Sequence, residues 1–286
     1  MKRTTRLKFV GVFFVLPGLI SYFGWTLYPI FYAFLISLYK WNLNPELPSK
    51  FVGLTNYIAM FQDPVAATAF KNTILYALIT VPGQMIFGFL IAYALNKKIY
   101  GQTTLRLLYY LPVVTSWIFV SLIFEYLFSG YGGLINYIFH TNIQWLSSPS
   151  TAMIPIYILG IWKGIGWSML IFLAGLQGVA PSLYEAAQID GANKWDLIRH
   201  ITLPLLRPTI MFELVMLTIG GFNVFLSVWV MTSGGPMNST QVVSVYMFQQ
   251  AFNYFNFGYG SALSVMLFVI VFVIAQIQRR WLKSYD

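Results

Sequence analysis

The chain contains no cysteine among its 286 residues. That excludes a disulfide framework and any thiolate metal site. Histidine is almost as scarce, with only His140 and His200, so a multi-histidine metal centre is not expected and no metal ligands are assigned. Charge is also scarce. Only 9% of residues are charged, against roughly 25% in ordinary soluble domains. No G-x-x-x-x-G-K-[ST] phosphate loop occurs, so the chain is not expected to hydrolyse ATP on its own. Clustered acids or histidines within the apolar segments are missing too, which argues against a membrane enzyme.

What the sequence has is apolar length: 58% of residues are hydrophobic. A soluble fold of this size could neither bury that surface nor cover it with so few charges. A bilayer removes the difficulty, because lipid can face apolar side chains directly. Six segments, 9–28, 73–95, 107–128, 153–176, 209–231 and 261–278, lie near the roughly 20 residues a helix needs to cross the hydrocarbon. The first can be extended past Pro29 toward Leu38, and Pro112 is read as a break within the third. These runs are continuous rather than alternating, which selects helices over a barrel. The basic start followed by an apolar run is like a signal peptide. It lacks a clean small-residue cleavage site and is read as an uncleaved first span. The expectation is an all-α membrane protein, with residues 1–286 forming a single transmembrane domain.

Lys and Arg orient the spans. With the N-terminus inside, the inside segments carry Lys2, Arg3, Arg6, Lys8, Lys97, Lys98, Arg106, Lys194, Arg199, Arg207, Arg279, Arg280 and Lys283. The outside has Lys40, Lys50 and Lys71, and Lys163 falls within the fourth span. This bias places both termini in the cytoplasm. It also explains the net charge of +9 as a topology signal, so nucleic acid is not an expected partner.

The segment 181–204, between the fourth and fifth spans, lies inside in this topology. Pro181-Ser182 reads as a helix start, with Glu185 in the first turn, where the helix dipole favours a carboxylate. Gly191 can supply a tight turn, 194–200 reads as a second short helix, and Pro204 and Pro208 lead back to the membrane. Two short helices held between two spans could exchange force with a soluble partner. The residues support an ordinary solvated connector about equally well.

The spacing Glu185-Ala186-Ala187, Gly191, Ile201, Leu203-Pro204 resembles the EAA loop of binding-protein-dependent ABC importer permeases, and Asp190-Gly191-Ala192 is similar to the form common in carbohydrate permeases. The resemblance extends through Phe51-Val52-Gly53-Leu54-Thr55-Asn56-Tyr57, Leu111-Pro112, Ile161-Trp162-Lys163, Leu173-Ala174-Gly175-Leu176-Gln177 and Thr232-Ser233-Gly234-Gly235-Pro236. It is nearest the first permease of maltose and glycerol-phosphate type importers, without the extra N-terminal spans and large insertion of the maltose member. It implies the type I importer permease fold, with six transmembrane helices and cytoplasmic coupling helices. It implies that Glu185, Ala186, Ala187, Asp190 and Gly191 couple to an ATP-binding subunit. The implied partners are a second homologous permease, two ATP-binding subunits and an extracytoplasmic solute-binding protein, in a bacterial inner membrane. No cofactor is implied on this chain; ATP and Mg belong to the partner ATPase subunits.

A sugar is recognised by aromatic faces and by hydrogen bonds to its hydroxyls. The family's site is built from the third, fourth and fifth spans, which here implies Trp117, Lys163, Gly164, Trp167, Gly221 and Asn223 as substrate contacts. Tryptophan is also a common interfacial anchor and glycine a common helix-packing residue. Lys163 stands out, since a charge at mid-membrane costs about 2.5–3.5 kcal/mol on insertion scales. Glu125, near the outer end of the third span, is expected either to pair with Lys163 or to reach water, and Glu213, near the inner end of the fifth, to do the same. The functions in view are a carbohydrate importer permease, a permease for glycerol phosphate or another polar solute, and a secondary transporter. No repeated halves support the last.

Overall fold

The structure is a computed structural model that describes residues 13–42, 46, 48–97 and 99–283, without the side chains of 281–283. The start of the first expected span, Lys2, Arg3, Arg6, Lys8, Lys98 and the Lys283 side chain lie outside the described residues. The described residues fall into two compact units. One comes from 1–63 and 247–268, the other from 64–246 and 269–286.

In the first unit, helix α1 (Phe13–Ile36) runs through Pro29, as the extended reading anticipated. Proline lacks an N–H and its ring crowds the preceding turn. A wider π turn over Phe23–Leu27, closed by the Tyr28 N–H on the Phe23 carbonyl, stands just before Pro29 and makes room for it. A small antiparallel ribbon follows, β1 (Tyr39–Lys40) against β2 (Lys50–Phe51), then α2 (Thr55–Gln62). The 51–57 motif has a structural explanation. Gly53 turns the chain at φ +56°, and the Asn56 amide donates to the carbonyls of Ser37 and Tyr39 at 2.8 and 3.1 Å. The Tyr57 hydroxyl meets that of Ser37 at 2.7 Å.

The second unit begins with α3 (Pro64–Leu95), which starts nine residues before the expected span. The added residues include Thr68, Lys71 and Asn72, too polar to register as membrane-spanning. At 1.5 Å per residue its 32 residues run about 48 Å, more than the ~30 Å hydrocarbon requires. The third span carries the break read at Pro112, displaced by three residues: it consists of α4 (Gln102–Val114) and α5 (Trp117–Leu127), bent by 95° at Thr115-Ser116. Helix α6 (Leu134–Phe139) follows in a loop. Helix α7 (Met153–Gln177) matches the expected fourth span to within one residue. The 181–204 segment contains α8 (Pro181–Ile189) and α9 (Lys194–Leu197). The fifth span lies within two residues of the expected one, Arg207–Met231, and is interrupted by an irregular turn at 223–225 between α10 (Arg207–Phe222) and α11 (Leu226–Met231). Helix α12 (Val243–Phe248) leads to α13 (Phe257–Lys283), the sixth span.

Lipid is as apolar as leucine, so association of these helices rests on close fit. Glycines on α3 and α7 provide it. A Cβ on Gly88 would collide with the Ser168 side chain and stand 2.9 Å from the Met169 amide nitrogen. A Cβ on Gly166 would strike the carbonyl oxygen of Tyr109, so α4 rests directly on the backbone of α7. Near the 181–204 segment, Ala92, Leu95, Met169, Phe172, Leu176 and Leu206 form one buried cluster. Val120, Phe124, Ile156, Leu159, Val228 and Val245 belong to a second. Gly88→Leu is expected to destabilise the protein by about 1–3 kcal/mol through overpacking, read as a lowered thermal midpoint of the detergent-purified chain; an unchanged midpoint would contradict the close α3–α7 crossing.

Candidate functional site

Two features of the second unit bear on function: the capped loop at one end of α7 and α10, and a cavity among the spans.

The loop is rigidly built. Helix α8 ends in a Schellman motif: the Gly191 N–H donates to the Gln188 carbonyl and the Ala192 N–H to that of Ala187, at 3.1 and 2.9 Å. Gly191 takes φ +87°, the left-handed conformation that glycine adopts at little cost. Asp190 is the C-cap residue, and its N–H donates to the Ala186 carbonyl. Asn193 then opens α9 with a capping box. Its side-chain oxygen accepts from the amides of Trp195 and Asp196, and Asp196 accepts from the Asn193 amide. The second expected helix, 194–200, is helical throughout, but it changes character after Leu197, where α9 widens into a π turn, Ile198–Thr202. The Tyr184 hydroxyl lies 3.1 Å from that of Thr202, which donates to the Leu197 carbonyl, so α8 is tied to the returning chain. At the stems, a Cβ on Gly175 would stand 2.7 Å from both Leu206 Cδ2 and Thr209 Oγ1, so the two flanking spans meet there.

One expectation for this loop is corrected. The helix begins at Pro181, so Glu185 is its fifth residue and lies beyond the first turn; the N-terminal dipole does not account for it. Glu185, Ala186, Asp190 and Gly191 are exposed and Ala187 is half-buried. Two large apolar side chains on the same loop are also exposed, Ile189 at 86% and Trp195 at 64%.

The cavity is about 500 Å³ and brings together all six expected contacts: Trp117, Lys163, Gly164, Trp167, Gly221 and Asn223. Their roles differ. Trp117 and Trp167 present partly exposed indole rings. A Cβ on Gly164 would strike the Gln84 amide, so this glycine seats Gln84, whose Nε2 donates to the Gly160 carbonyl at 3.2 Å. Gly221 packs instead, with Ala77 3.3 Å from where its Cβ would stand, while no atom lies within 4 Å of a Cβ on Gly220. Asn223 closes α10: its amide N–H donates to the Gly220 carbonyl, and its side-chain Nδ2 donates to Ile219 at 2.8 Å, the carbonyl a continuing helix would have paired with the Asn223 N–H. Its exposed side chain lines the cavity.

Lys163 is 4% exposed. Its Nζ donates to the carbonyls of Pro112 and Thr115 at 2.6 and 2.7 Å, touches Thr115 Oγ1 at 3.5 Å, and lies 4.8 Å from the Trp117 ring centre. Of the two outcomes open for Glu125, pairing with Lys163 is not shown among the described residues, and the side chain is half-buried on α5. Glu213 is fully buried on α10 beside the Ser168 side chain, so it does not reach water.

Sequence reasoning missed the second span's contribution, Tyr76 and Gln84, and also Gly160, Gly220 and Ser227. A polar Gln84 in an otherwise apolar run was the available signal.

Comparison with known proteins agrees with this architecture. The permease YurN of Bacillus subtilis, described as a probable ABC transporter permease, is 30% identical over 97% of this chain and 97% of its own length. SmoG of Agrobacterium fabrum, a sulfoquinovosyl glycerol transport system permease, is 34% identical over 98% and 92%. A chain from the crystal structure of a bacterial ABC transporter that imports the acidic polysaccharide alginate superposes with a TM-score of 0.84 at 21% identity, covering 99% of this chain and 98% of that one, and shows the same type I importer permease fold. The model of one family matches residues 64–283, which span α3 to α13 and hold both the capped loop and the cavity: the chain belongs to the binding-protein-dependent transport system inner membrane components, the permeases of ABC importers.

Proposed function

We propose that this permease carries a carbohydrate, that its cavity is one wall of the translocation path, and that the 181–204 loop docks on a cytoplasmic ATP-binding subunit. The observation that carries the path assignment is the convergence of Trp117, Lys163, Gly164, Trp167, Gly221 and Asn223, from three helices and the turn after α10, on one cavity of about 500 Å³. Indole faces beside amide and hydroxyl groups suit a hydroxyl-rich solute. The relative named for sulfoquinovosyl glycerol and the solved alginate importer support a sugar as cargo.

The docking reading rests on the capped pair α8–α9. Glu185, Ile189 and Trp195 are exposed on a loop whose ends are fixed to two spans. A second permease completes the path, two ATPase subunits bind ATP and Mg, and a solute-binding protein delivers cargo from outside. A structure of the alginate importer contains a periplasmic protein loaded with an alginate pentasaccharide, which supports such delivery. ATP-driven closure of the ATPase pair would bias the spans between inward-open and outward-open states. Both termini and the loop then lie in the cytoplasm, as the Lys and Arg distribution requires.

Trp167→Ala tests the path. Loss of one stacking face is expected to lower uptake by roughly tenfold at unchanged membrane abundance. Normal uptake would remove Trp167 from the path. Import of glycerol phosphate or another small polar solute is the second reading. The ligand that co-purifies with the cognate solute-binding protein separates the two.

A further inference from the structure

A broken helix inside a membrane leaves carbonyls that must find donors, because the hydrocarbon supplies none. At the bend between α4 and α5, Thr115 and Ser116 are extended, with ψ of 149° and 136°. The Pro112 carbonyl, whose partner in a continuous helix is the Ser116 N–H, therefore loses it. The Thr115 hydroxyl donates to Pro112 O at 2.6 Å, and the Lys163 ammonium reaches both Pro112 O and Thr115 O from α7. The ammonium stands at the C-terminal end of α4, where the helix dipole favours a cation. It also lies over the face of Trp117, the first residue of α5.

We propose that Lys163 is a positioning residue. It holds the break in the third span, and through it sets the 95° angle and the presentation of Trp117 to the cavity. Its donors are committed to the protein, so its charge is not what this chain offers a substrate. The assignment goes beyond the transport reading: the bend and its lysine cap stand whether or not the cavity carries sugar.

The absence of native cysteine allows a direct test with spin labels on the full-length chain in lipid nanodiscs. Leu108→Cys and Tyr126→Cys place labels at exposed positions on either side of the break. A straight helix would put these positions about 27 Å apart, and the 95° bend shortens that separation. Lys163→Met is expected to broaden the distance distribution and shift it toward the straight-helix value, whereas Lys163→Arg, which keeps donors and charge, retains the bent population. A second pair, Leu78→Cys with Ile158→Cys, reports α3 against α7 and is expected to be unchanged. A wild-type 108–126 distribution in Lys163→Met overturns the proposal. If Lys163→Met disturbs both pairs, Lys163→Arg decides: a retained bend supports the proposal and a lost bend overturns it. Failure of the Trp167→Ala test would remove the path reading and leave this assignment standing.

Discussion

Glu185→Arg is expected to lower ATP-driven uptake tenfold or more, with insertion and assembly of the chain unchanged. Glu185 is exposed on a helix whose carboxyl end is locked by the Schellman turn at Gly191 and whose body is tied to Thr202 by Tyr184. The side chain therefore has little to do for the chain's own fold, and reversing its charge should not unfold the loop. At a docking surface the same reversal juxtaposes like charges, or leaves a partner's cation facing another, which costs affinity steeply. Uptake into vesicles, measured beside ATPase activity and surface abundance, reads the effect. Full coupled uptake in the reversed variant would return the loop to the status of a solvated connector.

The second large effect is expected at Gly220. Nothing lies within 4 Å of a Cβ there, and the residue lines the cavity. A large side chain can thus be added without an initial clash against the scaffold, and it occupies the space the substrate needs. Gly220→Trp is expected to abolish uptake while the purified complex keeps ATPase activity, since the coupling loop is untouched. The neighbouring Gly221→Trp should instead fail to fold, because Ala77 sits 3.3 Å from its Cβ position. Uptake at the wild-type rate in Gly220→Trp would place the path elsewhere.

Much of this was legible in sequence because it is local. The spacing from Glu185 to Gly191 holds one short helix plus its left-handed cap, and that register follows from helix geometry alone. The span at 153–176 was readable for the same reason: it is one uninterrupted apolar run between turns. What was not legible depends on groups distant in the chain. Pro112 signalled trouble in the third span, but the position and angle of the break rest on Lys163, about fifty residues on in another helix. The break at 223–225 is sealed by the Asn223 side chain bonding back to Ile219, a choice hydropathy does not register. Tyr76 and Gln84 join the cavity only because Gly160 and Gly164 let α3 approach α7 there. The burial of Glu213 likewise belongs to packing rather than to position along a span.

The central claim is that the loop bearing Glu185 sits in the cytoplasm against an ATP-binding subunit. Ala186→Cys introduces the chain's sole cysteine at an exposed position on α8. Carrying a photoactivatable maleimide in the assembled transporter, it is predicted to cross-link to the ATP-binding subunit, with a yield that changes on adding ATP. It is also predicted to be protected from a membrane-impermeant thiol reagent applied outside intact cells. Labelling from outside, or the absence of any cross-link to the ATP-binding subunit, would contradict the account.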